Sequence, residues 1–464
     1  MTKKQIALTI IIGSVSLMAA SIDLNTLDNY ADQGKPAYIT KDNTPAENEL
    51  TDKGATLGRV LFYDKNLSVN NAVSCGSCHK QAFAFGDTAT RSTGLHGGFT
   101  GRHSMRLVNA RFANEVKFFW DERATSLEDQ TTHPIQDHVE MGFSGDNGDP
   151  DLDSLIRKLE GISYYQILFT FVYGDADITE TRIQYALAQF VRSIQSFDSK
   201  YDVGRAQVNN DAAPFPNYTP EENQGKNIFL AAPPNGAGCQ GCHAAPEFDI
   251  DPNAHNNNVI GVAGFPGLTD ATNTRAPSLR DIVNPNGNLN APLMHDASIS
   301  SLAALVDHYD HIVLDTANTN LDPRLLGPDN QGQNLQLTQT QKNALIAFLK
   351  TLTGSNVYTD PKWSNPFDAN GNLSLLPSTA SIAEADAAVA LHVFPNPTTG
   401  WVTLDIPTGN YELAVFDASG RKVKNTRIYA NQTLDLTDLP SGVLVFQVRD
   451  LGSGHVFHQK IIKN

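Results

Sequence analysis

The stretch "SCGSCHKQAFAFGD" (74–87) decides how the rest of the chain is read. Cys75 and Cys78 stand three apart, and His79 follows the second at once. The same arrangement recurs at Cys239-Gln240-Gly241-Cys242-His243, and the two copies use all four cysteines of the chain. Two disulfides would use four cysteines, and so would a zinc ion held by two C-x-x-C pairs. Neither explains a histidine directly after each pair. Covalent haem attachment does. Two thiols add to the haem vinyls, and the adjacent histidine becomes the proximal iron ligand. Two covalently bound haem c groups are therefore expected.

The flanking sequence fits export. Lys3 and Lys4 precede an apolar run from Ile6 to about Ala20, and Ala19, Ala20 and Ser21 offer small residues for cleavage. This is the layout of a signal peptide over 1–20. A membrane anchor is the alternative, although the run is short for a span, and no later stretch is long and apolar enough for one. The length of 464 residues suggests two or three domains. A formal charge of -16 argues against nucleic acid as a partner and suits solubility or basic protein partners.

A weak repeat links the two haem motifs. "LGRVLF" (57–62) precedes the first and "QGKNIFL" (224–230) the second, while "GRHSMRLVNARF" (101–112) echoes "TRAPSLRDIVNP" (274–285). Helices dominate. Ile183, Leu187, Phe190, Val191 and Ile194 recur at helical spacing, and Leu345, Phe348, Leu349 and Leu352 form another apolar stripe that Gly354 can end. Thr219-Pro220-Glu221-Glu222 reads as a capping box with proline at the first helical position. Residues 22 to about 50 are polar and irregular, and 198–218 read as a linker. From about 389 the pattern changes to strands, "WVTLDI", "YELAVFD" and "VLVFQVRD", with turns at 417–420 and 440–442. The expected fold is mainly α, with two cytochrome c-like haem domains in tandem and a small C-terminal β-sandwich. The expected boundaries are 21–205 and 206–355 for the haem domains, 356–388 for a linker and 389–464 for the sandwich.

The segment "WDERATSLEDQTTHPIQDHVEMGF" (120–143) carries a resemblance. With two C-x-x-C-H motifs, F-W-D-x-R-A, a glutamine ten residues after the tryptophan and V-E-M-G, residues 45 to 355 resemble the bacterial di-haem cytochrome c peroxidases and their MauG-type relatives. The resemblance implies roles by position. His79 would be the proximal ligand of a peroxide-reacting haem, and His243 that of an electron-transfer haem. Glu140 would be the distal acid–base residue, with Gln130 and Pro134 in the same pocket; by itself Glu140 would read as a surface carboxylate. Trp120 would lie between the haems and relay electrons. His96, in "GLHGGF", falls where the peroxidases carry a distal ligand to the first haem in the resting state. MauG-type members lack that ligand, and otherwise His96 is an exposed loop histidine.

The sixth ligand of the second haem falls at Tyr309, where the peroxidases have methionine and MauG-type proteins tyrosine. Met294 is the alternative. A phenolate favours ferric iron and a thioether ferrous iron. The family's calcium ion would meet Asn290 and Pro292, but His103 stands where an asparagine is usual, and calcium prefers oxygen. His295 belongs to the family motif near the second haem.

The C-terminal stretches "FPNPTTGWVTLDI", "VFDASGRKV" and "LDLTDLPSGVLVFQV" resemble the sorting domain of the type IX secretion system, with an adhesive or carbohydrate-binding sandwich as the alternative. Together these resemblances imply an exported enzyme, periplasmic, at the outer-membrane surface or secreted. It would reduce hydrogen peroxide with electrons from a small cytochrome c or cupredoxin-type donor. The other readings are a MauG-like oxidation of a partner protein and a non-catalytic electron carrier. Family members are often homodimers.

Overall fold

The computed structural model describes residues 21–376 and 391–464, apart from 407, 419, 430–431 and 453–455. The expected signal peptide, residues 377–388 of the expected linker and part of the 417–420 turn lie outside the described residues. The chain divides into two units, 1–376 and 377–464.

The first unit is mainly helical. Its helices are α1 (Asp52–Tyr63), α2 (Cys75–Cys78), α3 (Leu127–Thr132), α4 (Leu152–Glu160), α5 (Ser163–Tyr173), α6 (Glu180–Ser193), α7 (Lys200–Arg205), α8 (Pro220–Leu230), α9 (Leu302–Asp310) and α10 (Gln339–Lys350). Two helix pairs, α1 with α6 and α8 with α10, found two separate apolar cores. Both pairs cross at a glycine from the sequence repeat. A Cβ on Gly58 would lie 1.9 Å from the Ala186 carbonyl oxygen, and one on Gly225 would lie 1.8 Å from that of Ala344. Only a hydrogen fits at either crossing, so the helix backbones come together there. Four residues on from each glycine a phenylalanine meets its counterpart on the partner helix. Phe62 and Phe190 have ring centroids 5.0 Å apart and Phe229 and Phe348 5.2 Å apart, both tilted at 56°. The weak repeat read from sequence is thus one packing solution used twice.

Local signals start the helices. Thr51, Thr179, Thr219 and Thr338 each accept a bond from the first turn, and Thr219 and Thr338 form full capping boxes. Ser126 does the same for α3, and the buried ion pair of Glu128 with Arg192 fastens α3 to α6. α10 ends at a cap on Thr351, three residues before Gly354.

Three stretches are more ordered than their composition suggests. Residues 198–218, expected as a linker, hold α7 and its Ser199–Asp202 capping box. Tyr201 and Phe215 of that stretch are buried in the second core, and Asp202 takes a bidentate ion pair from the buried Arg280 at 2.9 and 3.0 Å. Residues 356–376, expected within the 356–388 linker, fold against the first core. Trp363 is 2% exposed, its indole donates to Ser193 Oγ, and Tyr63 and Arg59 donate to carbonyls of 361–364. The polar segment after residue 21 is a strap. Its strand β1 (Ser21–Asp23) pairs in parallel with β4 (Ser374–Leu376), and Lys41 reaches Glu247 and Asp249. Polar composition concealed these segments because their anchors are scattered single residues.

The short strands β2 (His243–Ala244) and β3 (Asp249–Ile250) pair beside the second haem motif. The second unit contains two antiparallel sheets, of order β11-β10-β7-β8 and β5-β6-β9. The strands are β5 (His392–Phe394), β6 (Trp401–Asp405), β7 (Asn410–Asp417), β8 (Lys422–Tyr429), β9 (Thr433–Asp435), β10 (Gly442–Asp450) and β11 (Val456–Lys463). Inward residues alternate, as with Leu444, Phe446 and Val448 on β10, and join Val402 and Leu404 of β6 in one core.

Candidate active site: two cavities and the wall between them

Each C-x-x-C-H motif opens onto its own cavity in the first unit. The first cavity, of about 590 Å³, is lined by Cys75, Cys78 and His79 together with Trp120, Gln130, Pro134 and Glu140. The second, of about 500 Å³, is lined by Cys239, Cys242 and His243 with Met294 and Tyr309. The four thiols are divided between two sites, so they do not converge on one tetrahedral zinc centre. Burial pushes Cys75 and Cys239 up to about 12 and Cys78 and Cys242 up to about 11. Raised thiols of this kind are unlike the lowered thiols of redox-active C-x-x-C sites.

The histidines suit axial ligation. Ala84 and Phe85 both adopt positive φ, and the Phe85 carbonyl thereby meets His79 Nδ1 at 3.1 Å. With Nδ1 as donor, the lone pair is left on Nε2, the tautomer an iron ligand requires. Burial pulls both imidazoles below the usual histidine range, His243 to about 4. His243 Nδ1 has no partner. Size, thiol pairs and neutral imidazoles all fit a haem in each cavity.

Glu140 reaches the first cavity from a turn held at both ends. Its backbone N–H donates to Asp137 Oδ1 at 3.0 Å, and Leu95 N donates to the Val139 and Glu140 carbonyls at 2.7 and 3.1 Å. Burial, then the charge of Asp137, push its carboxyl up to about 7, against the pull of Arg123. That is the range for taking and giving protons near neutrality. Gln130, on α3, and Pro134, just beyond it, complete this side. His96 is exposed on the turn Leu95–Gly97 and is not among the residues lining the cavity.

The wall between the cavities comes from distant parts of the chain. His103 to Arg106, Trp120 and Arg275 to Pro277 line both. Trp120 Nε1 donates to the His103 carbonyl at 2.7 Å, and the Trp120 carbonyl accepts from Thr274 and Arg275 N at 2.9 and 3.0 Å. Its ring lies 6.2 Å from that of His295, whose Nε2 donates to the Gly261 carbonyl at 2.8 Å. In the second cavity one residue serves both candidate sixth ligands. The amide of Asn257 donates to the Tyr309 hydroxyl at 2.9 Å and to Met294 Sδ at 3.2 Å. Sequence reading missed Asn257 because it lies in a loop without periodicity; its place in an Asn-rich run was the only signal.

The positions expected to meet calcium offer a mixed set of donors. His103 offers nitrogen, with Nδ1 bonded to the Ala89 and Thr90 carbonyls at 2.9 and 3.3 Å and Nε2 buried without a partner. The amide nitrogen of Asn290 donates to the Asp281 carbonyl and the Tyr358 hydroxyl at 2.6 and 2.8 Å, its Oδ1 is buried without a partner, and Pro292 lines the second cavity. Calcium takes six to eight oxygens, and no chemistry below depends on it.

These features first define a class: a protein with two cavities, each lined by a C-x-x-C-H motif that fits a haem c group, one of them also lined by a buried carboxyl. Residues 52–210 match the family model for di-haem cytochrome c peroxidase, and residues 392–464 match that for the secretion system C-terminal sorting domain. The chain is 29% identical over 320 residues to the methylamine utilization protein MauG of Methylophilus methylotrophus, covering 67% of this chain and 85% of that protein. It is 26% identical over 364 residues to the cytochrome c551 peroxidase of Nitrosomonas europaea, covering 76% and 93%. A crystal structure of a MauG-like protein associated with microbial copper homeostasis superposes with a TM-score of 0.58 at 27% identity, over 72% of this chain and 98% of that one. The chain thus carries a di-haem cytochrome c peroxidase domain over 52–210 and a secretion sorting domain over 392–464, and its relatives include MauG proteins and cytochrome c peroxidases. The sorting domain marks it for export. Among the described residues no helix is long and apolar enough to cross a membrane.

Proposed function

We propose that this protein is an exported di-haem peroxidase that reduces hydrogen peroxide to water, with electrons from a small donor protein entering at the second haem and passing to the first. The observation that carries this is Glu140, a carboxyl tuned to about 7 and turned into the cavity that His79 floors. A haem held there would supply the iron that binds peroxide and the electrons that reduce it. As carboxylate, Glu140 takes a proton from one oxygen of the peroxide and returns one to the departing oxygen, so that water leaves. Gln130 and Pro134 shape the space in which peroxide is held. Trp120, touching both cavities, bridges the two redox centres. Tandem cytochrome c-like domains, suggested by the repeated glycine crossing, would give each haem the same kind of seat.

A second reading is MauG-like oxidation of a partner protein. It is favoured by Tyr309, whose hydroxyl stands in the second cavity, and by the exposed position of His96. Peroxide added to the oxidised protein separates the readings. A lasting change in the Soret band without prior reduction supports the MauG-like reading. A response only after one-electron reduction supports the peroxidase. No response under either condition refutes both and leaves an electron carrier.

A further inference from the structure

Arg106 stands in the wall that both cavities share, 8% exposed, and its charge is poorly answered. Its Nη2 donates to the Ser278 carbonyl at 3.0 Å, its Nε is buried without a partner, and among the described residues it makes no ion pair. The neighbouring Arg275 differs. Its Nη1 donates to the Lys117 carbonyl, and the carboxylates of Glu115, Glu122 and Asp249 offset its charge. Around Arg106 the one carboxylate is Asp281. The Oδ1 of Asp281 is engaged by Gly354 N at 2.9 Å and the Tyr358 hydroxyl at 3.2 Å, its Oδ2 is buried without a partner and makes no ion pair with Arg106, and burial pushes the carboxyl up to about 6.

A buried guanidinium without a carboxylate is strongly unfavourable, so an anion is expected to come from elsewhere. The ligand that fits these cavities carries anions of its own, because each haem has two propionate carboxylates. A guanidinium fork with a free Nε–H matches a carboxylate. We propose that Arg106 is a carboxylate clamp for a haem propionate at the wall between the cavities. It holds the propionate edge of that haem in place and puts a fixed positive charge beside it. The inference rests on haem being held in these cavities and not on the peroxidase reading.

The test uses the full-length holoprotein and its Arg106→Leu and Arg106→Lys variants, with two haems per chain checked by pyridine haemochrome. A cation beside a haem favours the reduced state. Arg106→Leu is therefore expected to lower the midpoint of at least one haem tenfold or more in equilibrium constant, about 59 mV for one electron. Arg106→Lys keeps the charge and should change that constant less than threefold. Both variants should shift the propionate bending band in the resonance Raman spectrum, because the fork is lost. If Arg106 serves only as a distant countercharge to Asp281, Arg106→Leu alters the melting temperature while both midpoints change less than twofold and the Raman band stays in place; that result overturns the proposal. If Arg106→Leu loses a haem, the Raman band of Arg106→Lys decides, and an unmoved band overturns it. Peroxide turnover can persist or fail in either case, so the two readings are judged separately.

Discussion

Replacing Glu140 by glutamine keeps the size of the side chain and removes its proton chemistry. General acid–base groups of this kind contribute about 10²- to 10⁴-fold, so Glu140→Gln should lose at least about a hundredfold in kcat/KM for peroxide. The wild-type pH profile should show the raised carboxyl. Titrating near 7, Glu140 is about one-tenth ionised at pH 6 and about nine-tenths at pH 8. The rate of proton abstraction should therefore rise about tenfold between those values, whereas the variant's profile is flat. Stability moves the other way. The folded state holds this proton more tightly than the unfolded chain, whose carboxyl titrates near the usual 4.5. The group costs no stability below about pH 4.5, and the cost grows as pH rises through 7, to at most about 3 kcal/mol. The glutamine variant should consequently melt higher than wild type at pH 8 and equally at pH 4. Stopped-flow turnover from pH 5.5 to 8.5 and thermal melts at pH 4 and pH 8 would measure this. A variant within threefold of wild type at every pH would refute the distal assignment, and a melting gain that is larger at low pH would refute the electrostatic argument.

Other residues give independent checks. If Tyr309 is the sixth ligand, Tyr309→Phe removes an anionic oxygen donor and should raise the midpoint of the second haem by tenfold or more in equilibrium constant, while Met294→Ala should change it less than twofold; spectroelectrochemistry with the opposite ordering would make Met294 the ligand. Gly58→Val forces a side chain against the Ala186 carbonyl at the α1–α6 crossing and should cost about 3 kcal/mol or more in denaturant unfolding; a loss below about 1 kcal/mol would mean that the helices separate freely. Arg280→Met leaves Asp202 buried without its bidentate partner and should cost about 3–5 kcal/mol by the same measurement. Were Arg280→Met as stable as the parent, the ion pair would not be what orders residues 198–218.

The sequence alone determined what local pattern can carry. Two C-x-x-C-H motifs, the capping box at Thr219 and the apolar stripes on α6 and α10 each lie within a few residues, and each has one economical chemical reading. The strand-and-turn pattern of the tail is equally local. The tertiary structure decided everything that depends on separated segments meeting. Trp120 is shared by two cavities because residues 103–106 and 274–277 close around it, and the Arg106 bond to Ser278 spans 172 positions. The glycines of "LGRVLF" and "QGKNIFL" acquired meaning only when Ala186 and Ala344 were found against them. Residues 198–218 and 356–376 read as linkers because their anchors, Tyr201, Phe215 and Trp363, are isolated apolar residues in polar runs. The charge state of Glu140, the shared Asn257 amide and the unanswered guanidinium of Arg106 follow from burial, and burial is a property of the folded chain that residue order does not display.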